Sequence, residues 1–426
     1  MCNCWVEEGK LDLLAVMLLL VNQLLHFLAH RIIPTSQMIY LSKLNDHCNR
    51  FQCPGLLPGL FFVSLRMAVL KFSHAHLRQF AISVFKKMNC SDAHAQLAAD
   101  ALLAADLRGI DSHGIARLSG YVRLWEVQRV NATPTMRVLH ETPSTAVLDG
   151  DQGLGLVVAQ EAMNIAIAKA EKVGTGWVSV QNSNHFGIAG YHAMLALKHD
   201  MIGIAMTNAS PLVAPTFSID KMLGTNPIAV AAPAGNQPPF VADLATTTAA
   251  NGKLEILQRK NQETPAGWVQ DQLGNPSTDA HILKKGGALL PLGSDRDHGS
   301  HKGYALGAIV DLFSALLSGA NYAPWVPPFP AYVPMPTQQP GKGIGHFLGA
   351  MRIDAFRPAD AFKKDMDHWI EGFRNATPVE GQSKVLVPGD PERLAEKERM
   401  QEGIPLHEIV IQDLQALGQR FELPFE

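Results

Sequence analysis

Asp106-Leu-Arg-Gly-Ile-Asp-Ser-His-Gly-Ile-Ala-Arg-Leu-Ser-Gly-Tyr121 gathers a hydroxyl, an imidazole, a guanidinium and a phenol within ten residues. An alanine-rich run with helical spacing ends at Gly109, and a new run begins after Gly114. Ser112 and His113 thus fall on the connection between two helices, where a side chain is free to point into a cleft. Arg117 and Tyr121 are four residues apart and share one face of the second helix. A planar guanidinium grips a carboxylate with two parallel hydrogen bonds, a geometry that lysine does not reproduce. The segment reads as an active site for an acid substrate. The plainer reading is a Ser/His helix start with an exposed Arg and a half-buried Tyr.

Working outward, the chain on either side of this segment is strongly patterned. After Ser73, Leu77, Phe80, Ala81, Val84 and Phe85 recur at i, i+3, i+4, i+7 and i+8, and Ser91 caps a second helix carrying Leu97, Ala101, Leu102 and Ala105. Beyond Thr133-Pro134 the spacing changes. It predicts a short strand at Ala146 to Leu148, a helix from about Leu156 to Lys172, and strands at Gly176 to Val180, Ile202 to Thr207 and Ile228 to Ala232. A further apolar run ends at Asp243. An apolar helix runs from His301-Lys302-Gly303-Tyr304 to about Leu317, followed by a strand from Phe347 to Ile353, an amphipathic helix around Phe362 to Phe373, and a last helix. Such alternation predicts an α/β fold with a helical N-terminal segment. The seven prolines of residues 323–340 mark an irregular loop. The polar stretch Asn182 to Tyr191 leaves a strand and opens a helix, a place where α/β proteins hold ligands.

With 426 residues and 47% hydrophobic content, the chain can bury a sizeable core. Its 36 basic and 39 acidic residues leave a net charge of -3, which favours a small solute over nucleic acid or an anionic membrane. Four of the five cysteines (Cys2, Cys4, Cys48, Cys53) precede Met67, leaving Cys90 in the body and favouring a reducing, cytoplasmic setting. Residues 1–66 differ in character from the rest. The apolar run Leu13 to Val21 and its extension are too interrupted for a spanning helix, and Glu7 and Glu8 spoil a signal peptide. A weak membrane anchor, a marginal targeting segment and a dispensable extension are the readings; the well-patterned start at Met67 favours the last. The pair of histidines in Asp297-His298-Gly299-Ser300-His301 reads as a solvated loop rather than a metal site.

Six blocks in chain order carry a resemblance: Asp111-Ser112-His113-Gly114, His185-Phe186-Gly187, Gly224-Thr225-Asn226-Pro227, Asp243-Leu244-Ala245-Thr246, His301-Lys302-Gly303-Tyr304 and Gly343-Ile344-Gly345-His346. Over residues 67–426 the chain resembles the malate/L-lactate dehydrogenase family, which also holds ureidoglycolate, sulfolactate and diketogulonate dehydrogenases and a cyclic-imine reductase. The resemblance implies a mixed-sheet, non-Rossmann fold that binds NAD or NADP, is usually a homodimer and acts on small 2-hydroxy or 2-oxo acids. No Gly-x-Gly-x-x-Gly follows a strand, in keeping with a non-Rossmann fold. The expected organisation is an extension (1–66), a helical substrate-binding segment (67–145), a cofactor-binding α/β core (146–340) and a C-terminal segment completing the substrate and dimer domain (341–426).

Hydride exchange at C2 requires a group that passes a proton to or from the 2-oxygen, and histidine suits this near neutral pH. The resemblance implies an acid/base at His113, oriented by Ser112, or at His185. Asp243 is expected either to hold a catalytic histidine in its charged form or to cap a helix. Arg117 is the expected carboxylate clamp and Tyr121 a further donor. Asn208, Thr246, Lys302 and the turn Gly343-Ile344-Gly345 match cofactor-binding positions; Ala209 stands where some members have Ser. A carboxylate-bearing cyclic imine is the alternative substrate class. A Ser/His hydrolase is disfavoured by the missing Gly-x-Ser-x-Gly elbow, and a non-catalytic membrane-anchored protein would rest on residues 11–33.

Overall fold

The computed structural model describes residues 70–425; the apolar stretch 11–33 and the expected start at Met67 lie outside the described residues. The chain opens with β1 (Leu70–Phe72), α1 (His74–Lys87) and α2 (Asp92–Leu107). Ser73 and Ser91 cap the two helices as expected, each hydroxyl accepting a backbone N–H three residues on at 3.2 Å. Leu77, Phe80, Ala81, Val84 and Phe85 form the buried stripe of α1. A 3-10 turn at Ile115–Arg117 precedes α3 (Leu118–Glu126), so the second helix starts three residues later than the sequence spacing suggests.

The middle of the chain builds the sheet. In order come β2 (Arg137–Glu141), β3 (Thr145–Asp149), α4 (Gly155–Val173), β4 (Thr175–Ser183), α5 (Ala189–Met194), β5 (Met201–Thr207), β6 (Ile228–Ala232), β7 (Phe240–Leu244) and α6 (Asn251–Arg259). Three two-residue strands follow, β8 (Val269–Gln270), β9 (Pro276–Ser277) and β10 (Ala288–Leu289), then α7 (Ser300–Asp311), which runs into a π-helical turn at Leu312–Leu316. β11 (Ile344–Arg352), α8 (Ala359–Arg374), α9 (Asp390–Glu402), β12 (Ile404–Leu406) and α10 (Glu408–Phe421) complete it.

Seven strands pair in the order β2-β3-β4-β11-β5-β6-β7. Only β3 and β4, linked through α4, run parallel; the other pairs are antiparallel. The sheet is mixed, as the resemblance implied. β11, which falls in the C-terminal segment expected from residue 341, lies at the centre of this sheet with Phe347 opposite Ser179 on one side and Met206 on the other. Residues 344–350 are buried because small and apolar side chains face both layers.

The helices near the two ends of the described chain share a second core. β1 pairs with β12, and Ile411 and Leu414 of α10 join Leu77, Phe85, Leu118 and Tyr121 in one apolar cluster. The sheet packs its own cluster around Ala159, Ala162, Met163 and Ala166 of α4. Among the described residues no helix is long and apolar enough to cross a membrane.

Candidate active site

The Ser112-His113 turn is held from below. Asp106, in the last turn of α2, is buried, and its carboxyl accepts the Ile115 N–H at 2.6 Å. Gly114 lies directly on that carboxyl: a Cβ there would stand 2.0 Å from Oδ1. Only glycine permits this approach. Burial pushes Asp106 up to about 8, so the carboxyl is protonated near neutral pH. From α9, Arg399 donates to the Asp106 carbonyl and pairs with Asp111, tying a late helix to the turn.

The two expected acid/base histidines come together. The His113 and His185 rings are stacked with centroids 5.5 Å apart and planes at 19°. His113 Nδ1 is 2.8 Å from the Ser112 hydroxyl. His185 Nδ1 is 2.7 Å from the Tyr121 hydroxyl and 3.4 Å from the Gly187 N–H. A backbone N–H can only donate, so Nδ1 of His185 is assigned as the acceptor and its proton placed on Nε2. The Tyr121 phenol, its pKa raised by burial, remains protonated and donates to the same nitrogen. The Ser112 hydroxyl can either donate or accept, and His113 is free to take either tautomer. Burial, then the nearby Arg117, push His113 down to about 4. Burial, then His113 and Arg117, hold His185 well below the ordinary imidazole range. Both rings are neutral near pH 7.

Arg117 adjoins this pair and is fully engaged. Its Nε donates to the Ser112 carbonyl at 2.6 Å, and Nη1 and Nη2 reach the two carboxylate oxygens of Glu255 on α6 at 3.4 and 2.9 Å. Asp243 departs from the role of histidine partner. Its carboxylate accepts the Gly190 N–H at 2.8 Å and caps the first turn of α5, because β7 ends beside amides that lack an intrahelical acceptor. Burial pushes Asp243 up to about 6.

The cofactor candidates divide. Asn208 is buried; its Nδ2 donates to Asp311 Oδ1 at 3.0 Å and the Asn321 carbonyl at 2.8 Å, and its Oδ1 accepts the Gly345 N–H at 3.0 Å. Buried Thr246 donates its hydroxyl toward the Thr225 and Asn226 carbonyls at 3.1 Å. These two side chains join loops together, and their backbone N–H groups are likewise given to the Gly345 and Thr225 carbonyls. At Ala209 the backbone N–H is already donated to Asn226 Oδ1 at 3.1 Å. Lys302 is exposed in the first turn of α7. Gly343 takes a φ of 58° in the turn before Ile344 and Gly345. Beside this turn, Gly341 N–H donates to Asn321 Oδ1, while Asn321 Nδ2 is buried without a partner among the described residues. A lysine, a glycine turn and an orphaned amide are each a donor type that suits an anionic pyrophosphate, although the Gly345 N–H of the turn is already given to Asn208 Oδ1.

Sequence reasoning missed Glu255 and Phe329. Phe329 comes from the proline-rich loop, is anchored by its N–H on the Ser210 hydroxyl, and lies 4.8 Å from the His185 ring and 5.4 Å from Tyr121. Nothing in its neighbourhood of prolines marks it. His298 bonds Asp295 in an exposed loop, as the sequence suggested, whereas His301 lies in the first turn of α7 beside Arg296.

A family model described as malate/L-lactate dehydrogenase matches residues 72–415. Malate dehydrogenase of Pyrococcus horikoshii is 40% identical over 345 residues, covering 81% of this chain and 93% of the relative. L-sulfolactate dehydrogenase of Methanocaldococcus jannaschii is 36% identical, covering 82% and 96%. The crystal structure of malate dehydrogenase from Entamoeba histolytica superposes with a TM-score of 0.78 at 33% identity, over 84% of this chain and 99% of that one.

Proposed function

This chain belongs to the malate/L-lactate dehydrogenase family, and on that premise we propose that it exchanges a hydride between NAD or NADP and C2 of a small 2-hydroxy or 2-oxo acid. The observation that carries this reading is the stacked His113–His185 pair beside the Arg117 guanidinium. A bound nicotinamide ring supplies or accepts the hydride. Lys302, the backbone of the Gly343-Ile344-Gly345 turn and Asn321 would hold its pyrophosphate-bearing body.

The remaining work belongs to side chains of the chain itself. Arg117 holds the carboxylate of the acid, which brings the 2-oxygen toward the two imidazoles. Neutral His113, with its proton on Nδ1 toward Ser112, offers Nε2 as the base that takes the hydroxyl proton during oxidation. Burial is the main cause of the low His113 pKa, and the substrate carboxylate adds a negative charge beside Arg117 that stabilises the imidazolium as it forms. His185, fixed by Tyr121 with its proton on Nε2, donates a hydrogen bond to the same oxygen. Phe329 covers His185 and Tyr121 and limits water.

The test is a panel of 2-oxo acids and carboxylate-bearing cyclic imines with NADH and NADPH, followed at the nicotinamide absorbance. Activity with malate- or lactate-like acids is expected, and a flat panel would refute the reading. His113→Ala should lower turnover by about 10²- to 10⁴-fold, whereas His185→Ala should mainly weaken substrate binding. If His113→Ala keeps the wild-type ionisation of turnover and His185→Ala loses it, the two roles are exchanged. We also propose a homodimer, because α7 and the turn after it expose Leu306, Ile309, Leu312, Phe313 and Leu316 as one apolar stripe. A monomer mass by light scattering would exclude it.

A further inference from the structure

Arg117 has five N–H donors arranged as two forks, one end-on and one side-on. Glu255 takes the end-on fork through both carboxylate oxygens, and the Ser112 carbonyl takes the Nε–H that the side-on fork needs. An incoming carboxylate therefore finds no free fork. Glu255 is itself held by neighbours on its own helix. Asn251 Nδ2 donates to its Oε1 at 2.9 Å, and Arg259, one turn on, lies 3.8 Å from its Oε2. The start of α6 is pressed against the active turn, where a Cβ on Gly252 would stand 2.3 Å from Ser112 Cβ. Arg117, Glu255 and Arg259 all keep between a fifth and a third of their side-chain surface exposed, so water reaches the pair.

We propose that Glu255 sets the affinity of this site for acids by competing with the substrate carboxylate for the end-on fork of Arg117. When the substrate takes the fork, Glu255 turns to Arg259, so neither carboxylate is left without a cation. Arg259 makes the exchange possible: a partly buried carboxylate without a partner would resist release far more strongly than one with a second guanidinium within reach. The competition acts only on substrates that carry a carboxylate at this position. It gives Glu255 a specificity role, since a neutral analogue lacks the charge needed to displace it.

This inference rests on the reading of Arg117 as the substrate clamp, and the experiment separates the two. KM for L-malate is measured with the cofactor that wild type uses, alongside direct calorimetric binding of L-malate, for Glu255→Gln, Arg117→Lys and the double variant. Glu255→Gln keeps the shape and the Asn251 contact but removes the charge, and should lower KM and the dissociation constant about three- to tenfold, as expected for freeing a partly exposed ion pair. Glu255→Ala, checked for an intact thermal transition, must move both values the same way. In the Arg117→Lys background the Glu255→Gln gain should vanish. An unchanged or raised KM in Glu255→Gln, with Arg117→Lys still impaired, overturns the competition. An unchanged KM in Arg117→Lys removes the clamp itself.

Discussion

Gly114→Ala tests how the active turn is supported. The added Cβ would lie 2.0 to 2.3 Å from all three carboxyl atoms of Asp106, inside their van der Waals surfaces. Asp106 is 1% exposed, so either the carboxyl is driven off the Ile115 N–H or the turn lifts. Losing the acceptor of a buried N–H costs about 1–3 kcal/mol, and overpacking a close contact a further ~1–3 kcal/mol. The expected destabilisation is ~2–6 kcal/mol, seen as a lower urea midpoint at unchanged slope. Turnover should fall as well, because His113 is carried by the same turn and a shift of about 1 Å can cost about 10²-fold. Adding Asp106→Ala to Gly114→Ala should return part of the stability, a non-additivity expected only if the two residues collide. A midpoint and turnover both equal to wild type would refute this account of the turn.

Asp106→Asn replaces a protonated carboxyl by an amide of the same shape and should isolate its titration. Because burial raises the Asp106 pKa from 3.8 to about 8, the folded state binds the proton more tightly than the unfolded one. The resulting stability is fully present below pH 4 and is lost as pH rises toward 8, so wild type should lose ground to the variant across that window and then run parallel to it. A constant difference from pH 4 to 9 would show that Asp106 is already ionised. Tyr121→Phe removes the 2.7 Å donor to His185 Nδ1, leaving only the 3.4 Å contact with Gly187. Without that donor the neutral ring is less favoured, and the His185 titration followed by NMR should move up; an unmoved titration would mean that the bond does not fix the tautomer.

What could be read in advance was whatever depends on local spacing. The α1 stripe, the Ser73 and Ser91 caps, the strands that end at Thr207 and Ala232, and the apolar run that becomes β7 all follow from neighbours in the chain. β2 was missed because all five of its residues are exposed at a sheet edge, where no alternation marks a strand. α9 was missed because its sequence is polar on every side and its residues are not buried. The site divides in the same way. His113, Ser112, Arg117 and Tyr121 were legible as one segment, but Glu255 is 138 residues from Arg117 and Phe329 arrives from a proline-rich loop. Asp243 and Asn208 were singled out by the family resemblance, yet a matching position does not say which way a side chain points. Asp243 turns to an amide of α5, and Asn208 to the loops around α7.

The late arrival of β11 has a consequence for how the molecule is made. Between β4, which ends at Ser183, and β5, which starts at Met201, the sheet has a slot that residues 344–352 alone fill. Until the ribosome has passed that strand, the nascent chain holds two half-sheets, each with an open, apolar edge. Such edges pair readily with other chains, and closing them demands contacts across well over a hundred residues, which slows folding. A chain stopped before residue 352 should be insoluble rather than merely inactive. The same strand that completes the sheet also gates the moment at which the protein becomes safe from aggregation.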